Sequence, residues 1–195
     1  MDPSDNILTL AYLNIHGQSK LSETKQVQIE DILKFYKIDV AHLQEIEISD
    51  ESFANCNFLN STYSIISNNA PNQYGTSTLV KNTFSVENIN FDTAGRAIVF
   101  DLGELTLGNF YAHSGSDARS RSSRESFFAE VVPQLLTNRK QMGCIGGDWN
   151  CILEKLDATV NPETKTSNTL KRVIKTFEMK DSFRSLFPKE KAFSI

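Results

Sequence analysis

The run GCIGGDWNCI, residues 143–152, breaks a buried pattern with polar groups. Cys144 and Ile145 read as the end of a core strand. Gly146 and Gly147 interrupt it, and Asp148 and Asn150 follow before apolar character returns at Cys151 and Ile152. An Asp after two glycines is commonly a turn or helix-cap residue. The alternative is a strand that delivers an acid and an amide to a site at its end. The neighbouring elements must decide between the two.

Three other apolar runs end in the same manner. ILTLAYLNI (7–15) predicts a buried strand that breaks at His16-Gly17 and carries Asn14. IDVAHLQE (38–45) predicts a strand closing on Glu45, and LTLGNFYA (105–112) one that carries Tyr111. Further strands are expected at 63–67, 75–81, 85–91 and 97–102. The run 22–37 predicts a helix with Val27, Ile29, Ile32, Leu33 and Tyr36 near one face and Ser22 as its cap. A second helix over 122–138 should be kinked or divided by Pro133, and a third covers 168–179. This order implies two sheets with helices outside, an α/β layered sandwich.

If adjacent strands bring their ends together, these polar groups form one cluster. Glu45 and Asp148 supply hard oxygen ligands, which Mg²⁺ prefers while keeping several waters for a phosphate-bearing substrate. An Asn holds a phosphate or a water without adding negative charge, and a Tyr hydroxyl donates to a phosphoryl oxygen. The two glycines would leave room for the substrate. Each residue also has a plainer reading: Glu45 could begin a solvated loop, Tyr111 could be a core-rim aromatic, and His42 could sit satisfied beside the core.

The composition, 39% hydrophobic and 23% charged over 195 residues, fits one ordinary globular domain. No apolar run approaches the roughly 18 residues that span a bilayer, and acids stand where a signal peptide carries positive charge. An intracellular protein, nuclear or cytoplasmic, without a membrane partner is therefore expected. Cys56, Cys144 and Cys151 match no C-x-x-C pattern and are expected to be reduced thiols. The NST at Asn60 matches a glycosylation acceptor but lacks a secretory context. The net charge of −4 argues against indiscriminate nucleic-acid binding. It divides unevenly, −8 over residues 1–112 and +4 over 113–195, which allows a local basic face in the second half.

LNIHG, LQE about thirty residues on, GRAIVFDL, NFYAHSG and GGDWNCIL together resemble the endonuclease–exonuclease–phosphatase superfamily. The likeness is nearest to the apurinic-type endonuclease domain of non-LTR retrotransposons, whose connecting segments are similar to SRESFFAEVVPQLL, LDATV and DSFRSLFPKEKAFS. The resemblance implies a four-layer sandwich of two mixed sheets flanked by helices, hydrolysing a DNA phosphodiester with Mg²⁺ or Mn²⁺. It implies Glu45 as metal ligand with Asn14 beside the metal, and Tyr111 on the scissile phosphate. Asp148 would orient or activate the attacking water, and Asn150 would hold a phosphoryl oxygen. Arg96, Arg119, Arg121 and Arg124 would pair with DNA phosphates, contacts that position a duplex without reading it; a solvated Ser/Arg loop is the plainer reading of the last three.

The pattern departs at His16, where related repair enzymes carry an acid, and at Ala112-His113, where Ala-Pro is usual. KEKAFSI resembles the segment before the family's last strands, with their Ser-Arg-x-Asp and Ser-Asp-His motifs. The expectation is a domain truncated at its C-terminus, those strands absent, and weak or inactive as a nuclease. DNA is the expected partner, with a tethered reverse transcriptase in a longer protein. The competing expectations are a catalytically silent nucleic-acid-binding or interaction remnant, and a phosphoesterase acting on small substrates.

Overall fold

A computed structural model of the chain describes residues 7–18, 23–46, 57–70, 74–139, 141–158 and 165–191. They divide between two compact units, Met1–Tyr111 with Arg139–Asp148, and Ala112–Asn138 with Trp149–Ile195. The first unit holds two mixed four-stranded sheets. One has the order β1 (Leu10–Gln18), β2 (Val40–Ile46), β4 (Gly75–Lys81), β3 (Tyr63–Asn68). The other runs β5 (Val86–Phe91), β6 (Ala97–Leu102), β7 (Leu105–Tyr111), β8 (Gln141–Asp148). Within these two sheets β1–β2 and β7–β8 are parallel pairs and the other described pairs are antiparallel. The expected class, two mixed sheets with helices, is the one observed.

Alternation along the strands divides the core into two layers, as a period of two requires. Ala11, Leu13 and Ile15 of β1 and Ala41 and Leu43 of β2 pack with Ile29 and Leu33 of α1 (Glu23–Phe35) and Leu59 of α2 (Asn57–Thr62). Their neighbours Leu10 and Val40 face the other way, into a cluster with Ile98, Phe100 and Leu107 of the second sheet. Each fully buried Leu, Ile or Phe contributes about 1.5–3 kcal/mol, so both layers stabilise β2, whose side chains are buried on both faces.

Several details differ from the sequence reading. The first strand does not stop at His16; it continues to Gln18 across a register shift, with His16 at φ 51°. On α1, Ile29 and Leu33 are buried one turn apart, but Val27 is exposed at 55%, as is Tyr36, just past the helix end, at 62%. Ser22, the expected cap, lies outside the described residues, as do Cys56 and residues 159, 160 and 192–195 of the motifs quoted above. The helices α2 and α6 (Ser182–Leu186) and the 3₁₀ turn Lys155–Asp157 had no clear periodicity to announce them. No helix among the described residues is long and apolar enough to cross a membrane.

In the second unit, α3 (Ala118–Ser126), a π segment (Phe127–Val131) and α4 (Val132–Leu136) form one divided helix. The division expected at Pro133 is present. Proline lacks the N–H for the bond to residue 129 and its ring crowds that carbonyl; the wider π turn just before it absorbs the mismatch. The last long helix, α5 (Asn168–Thr176), starts at Ser167, whose hydroxyl accepts from Leu170 N–H at 3.1 Å.

Candidate active site

Alternation decides which face most of the site residues take. On β1, Leu10 and Tyr12 point toward the second sheet, so Asn14 does as well: the Tyr12 hydroxyl donates to the carbonyls of Gly108 (3.3 Å) and Cys144 (3.2 Å). On β7, Leu107 and then Asn109 face the first sheet, and Tyr111 follows two residues later. Cys144 on β8 faces inward too, and the same parity brings Asp148 inward. Tyr111 and Asp148 are register partners at the carboxyl ends of their parallel strands.

Glu45 is the exception. Counting from Ala41 and Leu43, strict alternation would turn its carboxylate toward α1. Instead β2 carries a bulge between Gln44 and Ile46 against β4, β1 shifts register beside it between Asn14 and Gln18, and Glu45 takes φ 55°. Ile46 then returns to the helix-side cluster, and Glu45 is turned to the face that holds Asn14. Bulges recur where a strand must re-aim one side chain beside a functional site.

The groups converge. The Asn14 Nδ2 donates to Glu45 Oε1 at 3.0 Å and to Asp148 Oδ2 at 2.8 Å. Its Oδ1 accepts from the His16 backbone N–H at 2.9 Å, so the turn at His16 fixes the amide's orientation. The Tyr111 hydroxyl donates to the same Glu45 Oε1 at 3.4 Å. Two carboxylates from different sheets thus share one amide nitrogen, and all four side chains are half-buried or buried. Hard oxygens gathered on a neutral amide suit a Mg²⁺-like ion, which takes one or two carboxylates and keeps its waters. Among the described residues no group of three His, Cys, Asp or Glu gathers, so a closed all-protein cage is not the arrangement.

Gly146 and Gly147 have a different purpose from the one expected. A Cβ on Gly146 would stand 2.7 Å from the Tyr12 ring, and one on Gly147 would stand 1.9 Å from the Phe110 carbonyl oxygen. The space is filled by the protein itself, so these glycines serve packing between and within the sheets rather than making room for a substrate.

Residues that the motifs did not single out hold the site in place. Gln44, beside the bulge, donates to Asn109 Oδ1 at 2.7 Å, and Asn109 Nδ2 donates to the carbonyls of Leu43 (3.1 Å) and Ser77 (2.9 Å). Both are buried. The signal was present in LQE and GNFYA as polar residues inside buried runs. His42 is fully buried, stacked on Tyr12 at 4.5 Å, with Nδ1 3.0 Å from Thr78 Oγ1. Burial pushes its pKa down to about 3, so it is a neutral core histidine and no general acid.

The four arginines separate by environment. Arg96 lies over the Tyr111 ring at 4.9 Å and donates from Nη1 to the Tyr111 carbonyl at 3.3 Å, which braces that tyrosine. Arg124 is buried, and its Nη1 donates to the carbonyls of His113 (2.8 Å) and Gly115 (3.1 Å); an internal brace is what its burial dictates. Arg119 is exposed and Arg121 half-buried on α3. Asn150 belongs to the second unit, where it takes φ 49° and donates to the Ala112 carbonyl at 2.9 Å.

No protein-family model matches the chain. It is 28% identical over 180 residues to the exodeoxyribonuclease III of Haemophilus influenzae, a match covering 85% of this chain and 64% of that protein's length. In structure it is similar to an AP endonuclease from Archaeoglobus fulgidus, with TM-score 0.74 and 16% identity over 96% of this chain and 77% of the other. A 3′-5′ exonuclease from Neisseria meningitidis superposes with TM-score 0.72 and 18% identity, over 95% and 76% of the two chains. A Neisseria 3′ phosphatase bound to a product DNA hairpin gives 0.71 and 18%, over the same shares. At these identities the structural likenesses establish the fold. The two sheets therefore carry the fold of these nucleases, the α/β sandwich of the endonuclease–exonuclease–phosphatase type.

Proposed function

We propose that the chain is the catalytic part of a divalent-metal-dependent DNA phosphodiesterase that nicks strands, of the kind tethered in retrotransposon proteins to a reverse transcriptase. The observation that carries the hydrolytic reading is the Asn14 amide held between Glu45 and Asp148. Like charges this close on two sheets are retained where a cation or a reacting group is to be bound. The relatives named above act on or bind DNA by their names, which supports DNA as the substrate class. The retrotransposon reading rests on the connecting segments quoted from the sequence.

Glu45 would hold the ion, Mg²⁺ or Mn²⁺, with Asp148 across the shared amide. The bound ion would supply a Lewis acid that neutralises charge developing on the phosphate. The chain's own groups do the rest. Asp148 accepts a hydrogen bond from the attacking water and aims it. The Tyr111 hydroxyl, braced by Arg96, can turn from Glu45 to a phosphoryl oxygen. Asn14 keeps both carboxylates oriented before substrate arrives, so little reorganisation is needed during reaction.

Supercoiled plasmid incubated with Mg²⁺ is expected to be nicked only slowly, EDTA to stop the nicking, and Asp148→Ala to lower the rate by about 10²-fold or more. Nicking that persists in Asp148→Ala would assign the activity to another site or a contaminant. The competing reading is a silent nucleic-acid-binding module. Salt-sensitive DNA binding without any nicking would select it.

A further inference from the structure

The turn between β5 and β6, residues 92–96, is built around one carboxylate that the hydrolytic chemistry leaves unexplained. Asp92 Oδ2 accepts from the backbone N–H of Ala94 at 3.0 Å, an Asx turn. Its Oδ1 accepts from the N–H groups of Arg96 (2.6 Å) and Ala97 (2.7 Å). Asn68, the last residue of β3, adds a fourth donor: its Nδ2 donates to Asp92 Oδ1 at 2.9 Å and is shared with the carbonyls of Asp92 (3.1 Å) and Ala97 (2.9 Å). Thr76 of β4 is buried, and its Oγ1 donates to the Gly95 carbonyl at 3.3 Å. A turn of the second sheet is thus clamped by two strands of the first.

Arg96 closes this turn and holds Tyr111 at three points. The Arg96 carbonyl accepts from the Tyr111 N–H at 2.8 Å, and Nη1 donates to the Tyr111 carbonyl at 3.3 Å. The guanidinium lies over the phenol ring, 4.9 Å from its centre, where the ring's negative face attracts it. The place is unfavourable for the arginine itself. Its Nε is buried with no hydrogen-bond partner among the described residues, and an unmade buried donor is destabilising. A long cationic side chain ordinarily carries its head into water. It stays over the ring where the backbone that carries it is fixed, and the Asp92 carboxylate fixes that backbone at the Arg96 and Ala97 amides.

We propose that Asp92, with Asn68, is a positioning residue for the hydrolytic site. Its carboxylate sets the turn that holds Arg96 over Tyr111, and through them the hydroxyl that meets Glu45 at 3.4 Å. Asp92 acts through Arg96 and not on the reacting groups. A misplacement of about 1 Å in a group that faces the reacting atoms lowers a rate by as much as about 10²-fold. The consequence for the rate rests on the phosphodiesterase reading above, whereas the positioning of Arg96 does not.

The test joins an NMR reading and a kinetic one on the whole chain. A guanidinium over an aromatic face is displaced upfield by the ring current, so the Arg96 side-chain resonances report its place; Tyr111→Leu supplies the undisplaced position. Most of that displacement is expected to be lost in Asp92→Ala and in Asn68→Ala. Asp92→Asn should keep most of it, because its amide oxygen can still take the Oδ1 bonds. Circular-dichroism melts check each fold, and Asn68→Ala, which leaves the carboxylate in place, decides the matter if Asp92→Ala does not fold. In Mg²⁺-dependent plasmid nicking, Asp92→Ala should lower the rate about 10–100-fold in the wild-type background and less than about 2-fold in an Arg96→Ala background. A merely structural loss would be the same in both. A folded Asp92→Ala with wild-type Arg96 resonances overturns the proposal, and so does an equal loss of rate in the two backgrounds. A wild type that does not nick overturns the phosphodiesterase reading, and the Arg96 resonances still decide the positioning.

Discussion

Glu45 and Gly147 show what single residues contribute. Glu45 holds φ 55° without being glycine, in a backbone region that ordinarily costs about 1–3 kcal/mol outside glycine. The surrounding strands over-determine it, since β1 and β4 both shift register at this point. Gly147 lies at φ 133°, and any Cβ would meet the Phe110 carbonyl, a backbone atom that no rotamer can move aside. Gly147→Ala is accordingly expected to destabilise the protein by about 3 kcal/mol, from backbone strain and a core clash together. Urea denaturation of the two proteins measures it. A loss below about 0.5 kcal/mol would mean that the close packing of β8 on β7 is not as described.

At the scale of elements, the bulge in β2 and the polar pair Gln44–Asn109 belong to one device. The bulge re-aims Glu45, and the residue beside it is tied to β7 through Asn109, which also bonds to β2 and β4. A buried amide with three good partners stabilises an interface; removing it strands the partners without water to replace it. Asn109→Leu preserves approximate size and should cost roughly 2–4 kcal/mol in urea denaturation. It should also reduce Mg²⁺-dependent nicking, because Glu45 loses its neighbour's anchor. A variant with full stability and full activity would show that the tie between the sheets is incidental.

At the scale of the whole molecule, the neutral His42 in the core couples stability to pH. Its pKa is lowered from 6.5 to about 3 by burial. A base with a depressed folded pKa binds its proton more readily when unfolded, so its contribution is fully present above pH 6.5. It falls by about 1.4 kcal/mol per pH unit as pH drops below 6.5 toward 3. Urea midpoints taken between pH 7 and pH 5 should fall, and His42→Leu should flatten that part of the curve. An equally steep curve in the variant would assign the acid sensitivity to other groups.

The succession of strands and helices along the chain and the identity of the polar residues were legible in the sequence, because alternating burial and polar groups at the ends of apolar runs are local patterns. Asn14, Tyr111 and Asp148 could be assigned a face by counting residues. Glu45 could not: counting turns it toward α1, and only pairing with two neighbouring strands creates the bulge that reverses it. The purpose of Gly146 and Gly147, the bracing by Arg96 and Arg124 and the Gln44–Asn109 tie were likewise hidden, since each depends on a partner far along the chain. Local pattern determines which side chains an element can present; contact between distant strands decides which of them meet.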